Sequence, residues 1–191
     1  MSENGKFSED LKNCIQALEL GQTILYPTDT IWGIGGDALN PLVYEKIFQI
    51  KARPATKSFI LLVDSIEMLY QYVDKIHPRI DLLLSLYDKP LTIVYQNIKS
   101  LPDAAILNNT VAMRICKDPF CNSLIKTFGR PIISTSANIS GQKPAHSYNQ
   151  ISSDIKSQID YIVKHRQAEN ISSGPSALAK YNDEGELEFL R

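Results

Sequence analysis

Cations gather in this chain where acids are missing. Between Glu45 and Asp64 there is no acidic residue, yet Lys46, Lys51, Arg53 and Lys57 all fall there. Arg53 precedes Pro54, and a residue before proline is pushed out of the α region, so a helix running up to this point ends here. The next run, Phe59-Ile60-Leu61-Leu62-Val63, reads as a buried strand. Lys51, Arg53 and Lys57 are thereby spread over a helix end, a loop and a strand start. Such an arrangement suits a polyanion, for instance a nucleoside triphosphate, because clustered positive charge is costly until something negative arrives. The structural alternative is that Lys51 and Arg53 only complement the negative end of a helix dipole.

A fourth cation sits inside an apolar run, Val111-Ala112-Met113-Arg114-Ile115. An arginine in such a place lies at an edge or is paired, and a carboxylate matches its guanidinium fork. That carboxylate is either a ligand's or an internal Asp or Glu. Neutral donors come from Ser134-Thr135-Ser136-Ala137-Asn138-Ile139-Ser140-Gly141, which follows the short apolar strand Pro131–Ser134. In open α/β sheets ligands sit beyond the carboxyl ends of strands, and this loop of hydroxyls and an amide is such an end. The same residue types are also ordinary turn material. Thr28-Asp29-Thr30 is a second hydroxyl- and acid-rich stretch. The glycines after it, with Ala38, match G-x-G-x-x-A at Gly33, Gly35 and Ala38, but no helix opens there and no acid follows about twenty residues on. They read instead as a tightly packed strand and turn, where glycine permits close backbone approach.

These residues need a scaffold of alternating elements. Helices are expected over Ser8–Leu20 (capped by Ser8, ended by Gly21), from Pro41 to Lys51 (capped by Asn40), and from Asp64 to about Val73. Others are expected over Pro78–Leu86, from Pro119 to Phe128 between Asp118 and Gly129, and from Ser147 to about Gln158. Strands are expected at Thr23–Tyr26, Phe59–Val63, Leu91–Tyr95, Val111–Ile115, Pro131–Ser134, Tyr161–Val163, Ala177–Lys180 and Leu187–Arg191, the late ones antiparallel. The fold class is α/β.

Bulk properties bound the rest. One hundred and ninety-one residues suffice for one fully cored domain spanning 1–191, and 43% hydrophobic with 21% charged residues is an ordinary globular balance. A net charge of −1 makes any anion site a local one. The polar N-terminus lacks the apolar run of a signal peptide, and no stretch approaches the ~20 apolar residues of a membrane span. Three unpatterned cysteines point to a reduced, cytoplasmic setting, and three scattered histidines to no metal site built from protein side chains.

In order along the chain, Tyr26-Pro27-Thr28-Asp29-Thr30-Ile31-Trp32-Gly33-Ile34-Gly35, Lys51-Ala52-Arg53, Pro90-Leu91-Thr92, Val111-Ala112-Met113-Arg114 and Ser134–Gly141 resemble the signatures of the YrdC-like threonylcarbamoyl-AMP synthases, in the short, single-domain TsaC form. The second and last of these match the family's K-x-R and S-x-N motifs. The resemblance implies a twisted, mixed parallel and antiparallel open sheet flanked by helices, with a concave, positively charged cavity. It implies formation of threonylcarbamoyl-AMP and pyrophosphate from L-threonine, bicarbonate and ATP with Mg²⁺, for the threonylcarbamoyladenosine at position 37 of tRNA. It places Thr30, Arg114, Ser134 and Ser176 around threonine. Around ATP it places Lys51, Arg53, Lys57, Thr110, Ser136, Asn138 and Arg191, with Lys51 and Arg53 catalytic and magnesium held through the phosphates. It also implies contact with tRNA or double-stranded RNA and downstream transfer proteins, and no membrane.

Two stretches depart from the family pattern. Tyr87-Asp88-Lys89 replaces an aromatic-Pro-Gly, and Ser176-Ala177-Leu178 lacks the hydroxyl that usually follows Ser176. Two other functions compete: a carbamoyl-adenylate-forming domain of the hydrogenase-maturation type, which belongs to much larger proteins with zinc-finger cysteines, and a non-catalytic RNA-binding module. Against the module stand the charge of −1 and the lack of a long basic stripe.

Overall fold

A computed structural model of the chain describes residues 3–53, 58–170 and 174–190, with the side chains of residues 3 and 4 left aside. In order, the elements are α1 (Glu3–Glu19), β1 (Ile24–Tyr26), β2 (Gly33–Gly35), α2 (Pro41–Ile50), β3 (Ile60–Val63), α3 (Ile66–Leu69), α4 (Pro78–Leu86), β4 (Leu91–Tyr95), β5 (Val111–Ile115), α5 (Pro119–Phe128), β6 (Ile132–Ser136), α6 (Ser153–Lys156), β7 (Tyr161–Ile162), β8 (Ala177–Tyr181) and β9 (Leu187–Phe189). Among the described residues the strands make one nine-stranded sheet in the order β7-β1-β2-β6-β3-β5-β4-β8-β9. Pairing is mixed: β3 runs parallel to β5, β4 to β8 and β1 to β7, and the other pairs are antiparallel. This is the expected mixed open sheet flanked by helices.

Local chemistry explains the well-predicted elements. The Asn40 side chain accepts from the Leu42 amide at 3.1 Å and Pro41 takes the first helical position, so α2 starts where the sequence predicts. Asp118 does the same for α5 through the Cys121 amide at 3.0 Å, and Gly129 closes that helix at φ 74°. Val43, Ile47 and Ile50 form the buried side of α2. Trp32, Tyr26, Tyr44, Ile47, Leu61 and Phe120 are among the large side chains fully buried in a continuous core.

Four expectations need correction. The first helix begins at Glu3 rather than Ser8, its early turns held by Phe7, whose ring packs edge-on against Phe120 at 5.3 Å and against His165. The helix expected from Asp64 to Val73 is a single turn, α3, capped by Ser65. It stops because the chain peels away to pair with the segment after β4: Val73 bridges Ile98, and the Lys99 amide donates to the Tyr72 carbonyl at 3.0 Å. The polar helix expected from Ser147 is broken into a 3₁₀ turn at Tyr148–Gln150 and α6, since Ser152 adopts an extended conformation and caps the second piece. Finally, of the late strands β7 runs parallel to β1 and β8 parallel to β4, and only the β8–β9 hairpin is antiparallel.

The glycine run is β2, antiparallel to both β1 and β6. A Cβ at Gly35 would lie 2.2 Å from the Ile133 carbonyl oxygen and 2.8 Å from the Tyr26 ring, so this glycine exists for strand packing.

Candidate active site

The cavity is built from the ends of several strands. Ile60, Ala112 and Ser134 stand in register on β3, β5 and β6 and form part of its floor. The segment after β1 contributes Thr28 and Thr30, and the segment before β8 contributes Ser176. The space measures about 470 Å³, within the range of small-molecule sites. Six of the residues singled out from sequence line it together: Thr30, Arg53, Arg114, Ser134, Ser136 and Ser176.

Three others, Lys51, Asn138 and Thr110, are not among its lining residues. Lys51 is only 1% exposed and sits behind the cavity wall, where its ammonium donates to the carbonyls of Ser136 and Asn138. Asn138 turns its amide back onto its own loop, donating to the carbonyls of Ile139 at 3.0 Å and Gln142 at 2.7 Å. Thr110 lines a second hollow of about 550 Å³, next along the same sheet: the cross-strand row Lys180, Val94, Ala112 passes from that hollow into the first. Lys57 and Arg191 lie outside the described residues.

How α2 ends determines where the K-x-R side chains go. Lys51 caps the helix, Ala52 adopts a left-handed conformation at φ 46°, and the amides of Ala52 and Arg53 donate back to the carbonyls of Gln49 and Phe48. This is a Schellman closure, with alanine where glycine is usual. The reversal sends Lys51 inward and Arg53 towards the cavity. There Arg53 lies over the Phe59 ring at 4.9 Å and donates to the Ser58 carbonyl at 2.6 Å, while its buried Nε has no hydrogen-bond partner among the described residues. Burial, then the neighbouring Arg53 charge, lowers the Lys51 pKa to about 7.

Arg114 is 4% exposed and forms an ion pair with Asp29 at 3.1 Å. Of the two partners its position allowed, an internal carboxylate is therefore present. Arg114 nevertheless reaches the cavity, its Nη1 lies 3.4 Å from the Thr30 hydroxyl, and its buried Nε has no hydrogen-bond partner among the described residues. It thus retains donor capacity for a second carboxylate. Three residues around this centre escaped the sequence reading as site residues. Asp29 is one; Thr28, whose hydroxyl lies 2.9 Å from that of Thr30 and donates to the Ile31 carbonyl at 2.7 Å, is the second. The third is Thr92, fully buried with its hydroxyl 2.8 Å from that of Ser176. The Thr28-Asp29-Thr30 cluster was a visible signal for the first two. Thr92 lies in the Pro90-Leu91-Thr92 stretch of the family likeness, but its place beside Ser176 needed the parallel pairing of β4 with β8, which the residue pattern did not announce.

A mixed α/β sheet with guanidinium groups and alcohols converging at its strand ends defines a small-molecule site for an anionic or zwitterionic ligand. The chain belongs to the Sua5, YciO and YrdC family, whose description is Telomere recombination, matched over residues 16–191. It is 35% identical over 153 residues to the threonylcarbamoyl-AMP synthase of Pseudoalteromonas translucida (strain TAC 125), covering 78% of this chain and 82% of the relative. Identity to the protein of the same name from Vibrio cholerae is 31% over 187 residues, covering 96% and 97% of the two chains. Among solved structures, P. abyssi Sua5 complexed with L-threonine superposes with a TM-score of 0.85 at 27% identity. That match takes in 95% of this chain and 53% of the archaeal one, so the chain spans about half of that protein. E. coli YciO shares the fold, with a TM-score of 0.82 at 21% identity, over 95% of this chain and 87% of that one.

Proposed function

We propose that this protein is a threonylcarbamoyl-AMP synthase, joining L-threonine, bicarbonate and the adenylate of ATP and releasing pyrophosphate. The observation that carries this reading is the convergence of Thr30, Arg53, Arg114, Ser134, Ser136 and Ser176, from separate segments of the chain, on one cavity. Relatives similar over most of their length bear that name, and the archaeal neighbour binds L-threonine.

In this reading Arg114 takes the threonine carboxylate, and Thr30, Ser134 and Ser176 face the amine and side-chain hydroxyl. The amine captures bicarbonate with loss of water, or CO₂ with loss of a proton, as a carbamate, whose oxygen attacks the α-phosphorus as the bond to pyrophosphate breaks and pyrophosphate leaves. Arg53 and Ser136 attend the nucleotide, with Lys51, Lys57, Thr110, Asn138 and Arg191 assigned to the same substrate. The chemistry asks for no side-chain nucleophile, and catalysis consists of positioning and charge stabilisation.

The described residues contain no group of three His, Cys, Asp or Glu side chains placed to hold a metal. This reading assigns magnesium to the nucleotide phosphates rather than to a protein cage. When bound there, the ion offsets charge building on the departing pyrophosphate. The adenylate would then pass to the machinery that modifies adenosine 37 of tRNA.

The test is pyrophosphate release from ATP, Mg²⁺ and bicarbonate with threonine present, omitted or replaced by serine. Release that requires threonine supports the proposal. Release indifferent to the amino acid, or none at all, sinks it.

A further inference from the structure

The K-x-R and S-x-N residues do not stand in equivalent places. Arg53 and Ser136 line the cavity, whereas Lys51 and Asn138 do not. Lys51 is tied to the loop after β6 at three points: its ammonium donates to the Ser136 carbonyl and to the Asn138 carbonyl at 2.6 Å, and its own carbonyl accepts from the Ser140 amide at 2.9 Å. Asn138 closes the same loop from within. Its side-chain amide spans the carbonyls of Ile139 and Gln142, and its backbone amide donates to the Ser136 carbonyl at 2.9 Å. The Ser136 carbonyl is therefore gripped from both sides.

We infer that Lys51 and Asn138 are positioning residues: together they fix the backbone of residues 136–142 so that the Ser136 hydroxyl faces the nucleotide site beside Arg53, and neither touches the nucleotide. This inference rests on the nucleotide reading given above and revises it at two residues: Lys51 and Asn138, assigned there to the nucleotide, act on the loop that carries Ser136 instead.

The chemistry of the groups agrees. A lysine that serves as a phosphate ligand must bring its ammonium to the anion, whereas here the buried Lys51 spends two of its three donors on backbone carbonyls. Asn138 likewise spends both amide protons within its loop. Removing the Lys51 side chain leaves the part-buried carbonyls of Ser136 and Asn138 without its donors, and removing the Asn138 side chain unties Ile139 from Gln142, so in either case the loop is freer to move towards water. The Left-handed turn at Ala52 makes the division of labour possible, because it points Lys51 at the loop and Arg53 at the cavity from adjacent turns of one helix end.

The decisive measurement is amide hydrogen exchange in the ligand-free protein at Asn138, Ser140 and Gln142. In Lys51→Met, exchange at these amides should accelerate about tenfold or more, since the bonds protecting them lose their support. Arg53→Met should leave them at wild-type rates. In pyrophosphate-release assays, Lys51→Met should raise the KM for ATP about tenfold while the KM for threonine moves less than about threefold. Wild-type exchange in Lys51→Met combined with weakened ATP binding would show a direct ligand and overturn the inference. Should Lys51→Met fail to fold, Asn138→Asp asks the same question, with unchanged exchange at Gln142 as the contrary result. If the wild-type protein shows no threonine-dependent turnover, the functional reading falls, and the exchange measurements still decide whether these two residues hold the loop.

Discussion

Single residues divide here into those that can meet a substrate and those that hold others in place. Arg53 belongs to the first group, half-buried, stacked on Phe59 and facing the cavity. Arg53→Ala should abolish pyrophosphate formation, with a melting temperature within about 3 °C of wild type, because the lost contacts are few and lie at the cavity edge. Circular dichroism melting beside the turnover assay checks both halves. Lys51 makes a different prediction, since its pKa falls from 10.5 to about 7 on folding, chiefly through burial. Below pH 7 both folded and unfolded chains carry the proton, and the burial cost is paid in full. Between pH 7 and 10.5 the unfolded chain keeps a proton that the folded one has released, so this group's contribution to stability grows with pH. Lys51→Met lacks that gain. Denaturant titrations of the two proteins at pH 7, 8 and 9 should show the wild type gaining on the variant by on the order of 1 kcal/mol per pH unit. A constant difference would mean that Lys51 titrates normally.

At the scale of elements, the site depends on how α2 ends and how β2 fits. Ala52 holds a left-handed conformation that costs an ordinary residue roughly 1–2 kcal/mol, so Ala52→Gly should stabilise the protein by up to about 1 kcal/mol once the extra freedom of the unfolded chain is counted. Gly35→Ala should do the reverse and cost about 1–3 kcal/mol or more, because the new methyl meets the Ile133 carbonyl and the Tyr26 ring with nothing flexible to yield except by shifting a strand. Chemical denaturation of the two variants tests both signs. Elements with self-contained signals were legible in sequence: Asn40-Pro41 and Asp118-Pro119 announce helices whose caps form as expected. Elements decided by distant partners were not. The short α3 is limited by pairing of residues 72–74 with 97–99, and β8 owes its direction to β4. The candidate site shows the same division. Residue types and the family likeness singled out the six residues that line the cavity. That Lys51 turns inward, and that Asp29 pairs with Arg114, depended on backbone geometry and on a neighbour 85 positions away, which no local pattern encodes.

Across the whole molecule, the groups that secure the fold lie apart from those that line the cavity. Asp10, fully buried on α1, accepts from the Tyr161 hydroxyl at 2.6 Å and from the amides of Lys164 and His165 at 2.9 and 2.7 Å. These bonds span some 150 residues and fasten the first helix to the edge strand β7, which in turn pairs with β1. No cavity residue takes part in them. Asp10→Ala would leave two part-buried amides and a phenol without this acceptor, a loss of about 2–4 kcal/mol, equivalent to a melting temperature lower by roughly 10 °C for a protein of this length. Measured well below that melting temperature, threonine-dependent pyrophosphate release should keep its kcat and both KM values within about twofold. That result would show that the strand ends hold their geometry while the sheet edge is loosened. Loss of turnover at a temperature where the variant is fully folded would instead mean that the placement of the Thr28–Thr30 segment, at the far end of β1, depends on the edge strand that Asp10 anchors.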